Sequence, residues 1–388
     1  MAATDVRLRS DRRLVWVLSL GVLFGTLPVH GAVLPEDRAD VMYHGYDGGG
    51  LQVQGPSVLV RKAYKDKVSV WGNYYVDMIS SASIDVVATA SEYEEEREEK
   101  SIGIDYLHGK TFMGLSYTNS EESDYSANSV RFGISQDFFG DLTTLGISYA
   151  RGWDEVRRNG DENFEEEAKR QTFRIDLSQI LTKNLIVSLN YESVTDEGFL
   201  NNPYRQVRYL DAASARGYSY QAEVYPRTRT SSATAVRGMY YLPYRASLKA
   251  EYRYYTDTWG IGAWNAELAY VHPLPKGLIA ELKYRYYDQT AADFYSDLFD
   301  RPNAQNFLAR DKELASYSTH TAGAGISYEF ATGWLPLFDK GEASLMVDWI
   351  HFDYSDFRDV TVQDALPGEE PLYGFDSVVI RAFVSFWY

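Results

Sequence analysis

Apolar and polar residues alternate along most of this chain, in segments of about nine to fifteen residues. The last segment is the clearest, because every second residue from Ile380 to Tyr388 is apolar or aromatic, whereas Arg381 and Ser385 lie between them. Successive side chains of a strand point to opposite faces, so such a segment has one apolar and one polar face. The pattern predicts strands of a transmembrane β-barrel, in which lipid-facing and lumen-facing residues alternate.

Sixteen segments are predicted to form strands, and the connections between them alternate in length. The predicted strands are 39–46, 51–64, 67–80, 100–107, 110–119, 127–138, 142–154, 169–180, 184–196, 230–242, 245–257, 260–272, 277–289, 316–330, 341–355 and 376–388. Outer-membrane barrels have short turns on the periplasmic side and long loops outside. The sequence therefore predicts an all-β, antiparallel barrel of about sixteen strands. Fourteen is the alternative if 100–119 belongs to an inserted loop.

Both ends of the chain fit export to the bacterial outer membrane. Four arginines at positions 7–13 precede an apolar run from Leu14 to Leu27, and small residues follow up to Gly31. A basic region, a short apolar region and a small-residue exit predict a cleaved signal peptide over residues 1–31. Residues 32–388 are then the barrel with its long loops. The C-terminal strand is typical of barrels that the assembly machinery recognises, with Val384, Phe386 and Tyr388 as the candidate signal.

The composition supports a membrane-embedded barrel and excludes several other classes. No apolar run after the leader reaches the roughly 18 residues of a membrane helix, and the 32 Tyr and 8 Trp suit the aromatic girdles of a barrel. The chain has no cysteine, which excludes disulfides and thiolate sites. Its net charge of −17 argues against a nucleic-acid partner. The expected partners are outer-membrane lipid and lipopolysaccharide.

Charged residues share one face of several predicted strands. Because Arg or Lys costs about 2–4 kcal/mol on a lipid face at the midplane, this face is predicted to line the lumen. The candidate lumen-lining residues are Arg174, Arg245, Lys249, Glu251, Arg253, Glu281, Lys283, Arg285 and Arg381. One interpretation is a selectivity ladder that attracts anions. The other is that these charges neutralise one another and stabilise the wall.

Seven segments in the loops and at strand ends have distinctive sequences. They cover residues 75–85 (YVDMISSASID), 89–97 (TASEYEEER), 198–208 (GFLNNPYRQVR), 225–229 (YPRTR), 252–259 (YRYYTDTW), 284–295 (YRYYDQTAADFY) and 309–314 (ARDKEL). Together, and in this order, they resemble the exported outer-membrane family catalogued as domain of unknown function 3570. The resemblance implies a barrel of unestablished activity, often encoded beside a flavin-transferring enzyme, a small lipoprotein and thioredoxin-like proteins. It therefore implies a periplasmic lipoprotein or redox partner.

Four loop arginines are candidates for a latch that folds the loops into the barrel mouth. We expect Arg205, Arg208, Arg227 and Arg229 to pair with Asp85, Glu92, Glu94 and Glu95, because the planar guanidinium binds carboxylates bidentately. The alternatives are that these arginines bind an anionic ligand or lipopolysaccharide phosphate, or that the loops are simply solvated.

Catalytic and metal-binding patterns are weak in this sequence. It has no G-x-S-x-G or H-E-x-x-H motif, and the acidic runs lack the spacing of a calcium loop. We therefore expect no enzyme activity, cofactor or metal site. The leading hypothesis is a loop-constricted channel or transporter for a small solute or ion. The alternative is a plugged barrel that serves as scaffold for a periplasmic redox, flavin-linked or lipoprotein partner.

Overall fold

Sixteen strands form one closed antiparallel barrel in the computed structural model, which describes residues 33–81, 93–333, 335–362 and 364–388, without the side chains of 93 and 94. The wall strands are β1 (Arg38–Gly48), β2 (Leu51–Tyr64), β3 (Val68–Ser81), β4 (Tyr93–His108), β5 (Thr111–Glu121), β6 (Tyr125–Phe138), β7 (Thr143–Arg158), β8 (Asp161–Thr182), β9 (Leu185–Gly198), β12 (Thr228–Tyr241), β13 (Ser247–Asp257), β14 (Gly262–Pro273), β15 (Leu278–Gln289), β16 (Tyr317–Ala331), β17 (Lys340–Arg358) and β18 (Leu372–Trp387). Two further strands, β10 (Gln206–Leu210) and β11 (Tyr218–Ala222), form a separate hairpin. Short 3₁₀ turns lie at Pro275–Gly277 and Lys312–Leu314.

The first and last wall strands close the barrel. β1 pairs with β18 from Arg38 opposite Trp387 to Gly48 opposite Ser377. β4 and β5 pair with each other and with their outer neighbours. The prediction of sixteen strands is therefore confirmed, and the fourteen-strand alternative is wrong. The proposed signal peptide lies outside the described residues.

The outward face of the wall is apolar and carries aromatic residues towards both ends. In β13, Leu248, Tyr252 and Tyr254 point outward and are exposed, whereas Lys249 and Glu251 on the other face are less accessible. Exposed outward-facing aromatics lie near one rim at Tyr64, Phe138, Tyr240 and Tyr328, and nearer the other rim at Tyr74, Tyr117, Trp153, Tyr254 and Trp349. This is the apolar band with two aromatic girdles that a membrane barrel needs. No helix in the described ranges is long and apolar enough to cross a membrane.

The connections divide the barrel into two unlike ends. At the turn end, strands are joined by short segments such as 65–67 and 109–110, and residues 33–37 lie beside Tyr388. At the loop end lie the long connections 199–227, 290–316 and 359–371.

Several strands extend further at the loop end than the sequence indicates. β7 and β8 continue to Arg158 and Asp161, so a two-residue turn replaces the predicted loop 155–168. β4 begins at Tyr93, so the acidic run 93–99 pairs with β3 instead of forming a loop.

Candidate functional site: the cap and the lumen beneath it

Four loop-end connections pack together over the barrel mouth, and we call this assembly the cap. It consists of residues 199–227, 258–261, 290–316 and 359–371. Its larger apolar core contains the buried side chains of Tyr225, Trp259, Ile261, Ala292, Phe294, Ala309 and Leu314. A second core contains Val207, Phe299 and Leu308. The cap is therefore a folded unit with its own interior, unlike a set of solvated loops.

Backbone pairing joins the β10–β11 hairpin to the 290–316 connection on both sides. Val224 and Leu308 exchange two hydrogen bonds, with N···O distances of 3.0 and 2.8 Å. On the other side, the Phe299 amide donates to the Arg208 carbonyl at 3.0 Å, and the Leu210 amide donates to the Phe299 carbonyl at 2.9 Å. These bonds satisfy backbone groups that burial in the cap would otherwise leave unpaired.

Buried ion pairs hold the connections of the cap together. Arg208 is fully buried; it forms ion pairs with both Asp297 and Glu370, and its Nε donates to the Asp297 carbonyl at 2.9 Å. Arg310 also contacts Asp297 at 2.9 Å. Burial opposes the charge of Arg208, but the hydrogen bonds to Glu370 and the pairing with Asp297 outweigh it, so its pKa lies above the ordinary value. One arginine of connection 199–227 thus binds both other long connections.

The other latch arginines also have carboxylate partners, although not the expected ones. Arg205 pairs with Asp311, Arg227 with Glu166 at 3.1 Å, and Arg229 with Asp257 at 2.6 Å. Asp85 and Glu92 lie outside the described residues, as does the side chain of Glu94. Glu95 accepts hydrogen bonds from the backbone and hydroxyl of Ser123. The acidic partners in the described chain therefore come mainly from later connections and wall strands.

Lumen-facing side chains fix the cap inside the mouth. Gln289, the last residue of β15, donates from Nε2 to the carbonyls of Glu313 at 2.9 Å and Ala315 at 2.7 Å. Ala315 packs in a cluster with the lumen-facing Tyr354 and with Phe357 at the end of β17. The 290–316 connection therefore turns inward and contacts the wall from within.

A further contact ties the cap to the opposite side of the loop end. The Tyr204 hydroxyl donates to Asp124 in the β5–β6 turn and accepts a hydrogen bond from the Asn159 amide at 2.6 Å. Burial raises the pKa of Asp124 to about 6 and that of nearby Glu122 to about 7. The β5–β6 turn against which the cap packs therefore contains carboxyl groups that titrate near neutral pH.

Most of the predicted lumen residues lie on the inner wall and form ion pairs. Arg174 binds Glu192 through Nε at 3.1 Å, and Glu192 also contacts Arg253 at 3.4 Å. Asp348 bridges Lys283 at 2.9 Å and Arg381 at 2.6 Å. Two further pairs are Lys249 with Glu281 at 3.5 Å and Glu251 with Arg237 at 2.7 Å.

Two predicted lumen residues behave differently from this set. Arg245 lies in the β12–β13 turn with a φ of 70° and is exposed, so it is not part of the strand wall. Arg285 lies on the inner face of β15 and forms neither an ion pair nor a hydrogen bond with any described residue.

The candidate assembly residues lie where the barrel closes. Val384 pairs with Val41 of β1 and with Ala343 of β17. Phe386 packs against Phe338, with ring centroids 4.9 Å apart. The Tyr388 hydroxyl donates to the Arg61 carbonyl at 2.9 Å.

The sequence analysis missed a hydrogen-bonded group on the inner wall. His44 Nε2 lies 2.7 Å from Asp77 Oδ1, and the Tyr75 hydroxyl donates to the same oxygen at 2.9 Å. The His44 and Tyr75 rings stack at 4.9 Å. All three residues share the lumen face of neighbouring segments, but only the register of β1 to β3 brings them together. In the described part of the chain, no group of three or more His, Asp or Glu residues is placed to hold a metal ion.

Solved structures similar to this chain are outer-membrane proteins with very different sequences. A bacterial polysaccharide outer membrane secretin aligns with a TM-score of 0.49 and 7% identity, covering 92% of this chain and all of the other. A Pseudomonas aeruginosa FadL homologue aligns at 0.44 and 9%, covering 92% and 91%. In-vitro folded trimeric OmpT of Vibrio cholerae aligns at 0.42 and 9%, covering 90% and 98%.

The family assignment rests on the sequence itself. No curated protein matches the chain significantly. A family model described as "Protein of unknown function (DUF3570)" matches residues 87–337, which is more than half of the chain. The matched range includes most of the cap and the strands that carry most of the lumen charges. The chain belongs to the DUF3570 family.

Proposed function

We propose that this barrel is a loop-constricted channel for small solutes or ions in the bacterial outer membrane. In this arrangement the turn end faces the periplasm and the cap faces outward, where lipopolysaccharide is the neighbouring lipid. The leader over residues 1–31 directs export, and the C-terminal strand directs assembly. The proposal assigns no catalytic step to the chain.

The observation that carries this proposal is a solvent-accessible lumen beneath a folded cap. Side chains of Arg237, Lys249 and Arg253 point into the closed barrel, yet retain 54%, 42% and 42% of their exposure. Inward-facing groups stay that accessible only where the lumen contains space for water. The cap occupies the mouth above them, so passage is controlled there and not along the wall.

A second candidate is a plugged barrel that acts as scaffold for a periplasmic lipoprotein or redox partner. The interior of the cap favours it, because apolar cores and buried ion pairs resist opening. A groove of about 670 Å³ at the turn end supplies a surface for such a partner; it is lined by Leu34, Pro35, Trp387 and Tyr388 among others.

Conductance in planar bilayers separates the two candidates. The Gly198 amide donates to the Arg227 carbonyl at 2.9 Å, so the ends of this connection are adjacent. An Asn-Gly turn can therefore replace residues 200–226 without distorting β9 and β12. The control replaces only the exposed tip 212–216.

Steady conductance steps from the wild-type protein, enlarged by the replacement of 200–226 but not by the tip control, would support the channel. A silent wild type with a conducting replacement would favour the plugged barrel. If folded wild-type and replacement proteins are both silent, the channel proposal fails.

A further inference from the structure

Two arginines of the lumen wall are not fully bound by carboxylates of the described chain. Among the described residues, none accepts a hydrogen bond from Arg285 or forms an ion pair with it. Its Nε is buried without a partner, and its guanidinium carbon lies 5.8 Å from the centre of the Tyr287 ring. The two terminal nitrogens are neither buried nor bonded, so they face lumen water with their donors free.

Arg253 is only partly neutralised. Within the described residues its one ion-pair partner is Glu192, at 3.4 Å, and that carboxylate is also bound by Arg174 through Nε at 3.1 Å. Two guanidinium groups thus share one carboxylate. Glu267 is the residue opposite Arg285 in the β14–β15 register, but it forms no ion pair with it. The guanidinium donors of Arg253 and Arg285 are therefore not all taken up by carboxylates of the described wall, in a chain whose overall charge is −17.

The strand register places the two arginines on one shelf below the cap. Arg253 lies opposite Asn265, which lies opposite Tyr287, and Arg285 precedes Tyr287 by two positions on the same face. The Cα atoms of Arg253 and Arg285 are two strand spacings apart across the sheet and two residues apart along the strand, which gives a distance of about 12 Å. Side chains as long as arginine can therefore both reach one small ligand.

Aromatic side chains line the same shelf. The Tyr255 hydroxyl donates to Asp257 at 2.9 Å, and the Tyr287 hydroxyl donates to Gln289 at 2.6 Å. Both hydroxyls are directed towards the cap, so the rings flank the space near Arg253 and Arg285.

We propose that Arg253 and Arg285 form a binding site for a small solute that carries a carboxylate on a planar, apolar body. The guanidinium fork matches the two oxygens of a carboxylate, and the tyrosine rings match the planar body. This inference rests on the proposed passage of solutes, because it names the class of solute that the lumen selects.

Calorimetric titration of folded protein in detergent tests the site without requiring conduction. The probe is benzoate; benzyl alcohol and benzylammonium are controls of similar shape with no charge and with positive charge. The wild type and the replacement of 200–226 are both titrated, so that a closed mouth does not hide the site. We expect benzoate to bind to at least one of them, and benzyl alcohol and benzylammonium to bind at least tenfold more weakly.

Single-charge variants locate the site. Arg253→Gln and Arg285→Gln are each expected to weaken benzoate binding at least tenfold. Arg237→Gln removes the same charge from the same wall but from an arginine already paired with Glu251, and we expect a change of less than twofold.

Absence of benzoate binding, equal binding of benzyl alcohol, or an equal loss in Arg237→Gln would overturn the site. A protein that binds benzoate but never conducts would retain the site and refute the channel. A protein that conducts without binding benzoate would retain the channel and refute the site.

Discussion

Replacing Arg208 by methionine tests whether the cap is held by its buried ion pairs. Methionine keeps much of the side-chain length but removes every donor. Arg208 is fully buried and donates to Asp297 and Glu370, both of which are nearly buried themselves. The substitution leaves Glu370 without its guanidinium and Asp297 with Arg310 as its remaining cationic partner.

The expected cost follows from the burial of these carboxylates. Removing one partner of a buried ion pair typically destabilises a protein by about 3–5 kcal/mol, because an uncompensated charge stays behind. Every 1.4 kcal/mol is a factor of ten, so the open state of the cap should become about 10² to 4 × 10³ times more populated. The carboxylates that bind Arg208 belong to the cap, so the wall strands should remain paired.

Hydrogen exchange measured by mass spectrometry gives the local free energy of opening. Peptides covering 206–222 and 294–310 should exchange about 10² to 4 × 10³ times faster in Arg208→Met, whereas peptides from β1 and β18 should be unchanged. Arg216→Met is the matched control, since Arg216 is exposed in the same connection. It should change opening by less than about 0.5 kcal/mol.

A second substitution separates loss of the ion pair from loss of packing. Adding Glu370→Gln to Arg208→Met removes the charge that the first change left unpaired, so part of the lost stability should return. A cap whose exchange in Arg208→Met matches the wild type within a factor of two would refute this account of the latch. So would a double variant that is destabilised by the sum of the two single effects, because residues in one network are expected to couple.

Three further predictions concern the turn, the pH response and the lumen. Gly260 has a φ of 90°, and a Cβ there would lie 2.3 Å from Asp293 Oδ1. Gly260→Ala should therefore speed hydrogen exchange of residues 290–296. Gly238→Ala is the control and should leave this exchange unchanged, because a Cβ at Gly238 would have no atom within 4 Å. Burial raises the pKa of Asp124 from 3.8 to about 6, so its contribution to stability is complete below pH 3.8 and is lost as pH rises through 6. Exchange protection of 199–205, corrected for intrinsic rates, should fall between about pH 4 and 6, and Asp124→Asn should flatten that response. Asp348→Asn leaves Lys283 and Arg381 without their shared carboxylate. When this change is added to the protein in which an Asn-Gly turn replaces residues 200–226, its reversal potential should shift in the direction of greater anion selectivity.

The wall could be predicted from the sequence because one physical rule acts along its whole length. Lipid on one side and water on the other impose a period of two, as in Leu248 to Tyr254 of β13. The rule ends where the strands leave the membrane, since both faces are then wetted. That is why the ends of β7 and β8 beyond Asp154 and before Lys169 were predicted as loop. Glu165, Glu166 and Glu167 carry no alternation, yet they pair with β7.

The partners in the cap could not be predicted from local sequence. The latch arginines indicate that carboxylate partners exist, but not which ones. Arg208 is separated from Asp297 by 89 residues and from Glu370 by 162. Only the folded connections bring them together, and other acidic runs such as 93–99 pair in the wall instead. The β10–β11 hairpin was missed for a related reason, because its five-residue strands alternate too briefly to give a pattern.

Pairing and burial distinguish the structural arginines of this barrel from those available to a ligand. Arg208 is buried and donates to two carboxylates, so binding a solute would require breaking the cap. Arg285 has no carboxylate partner in the described chain, and its terminal nitrogens face water, so a solute anion would gain its donors at little structural cost. Substitution of a buried, paired arginine such as Arg208 should therefore alter opening of the mouth while leaving ion preference intact. Substitution of an unpaired lumen arginine such as Arg285 should alter ion preference while leaving the stability of the cap intact. Substituting Arg208 and Arg285 in one protein should give the sum of the two effects, because these two arginines share no carboxylate partner.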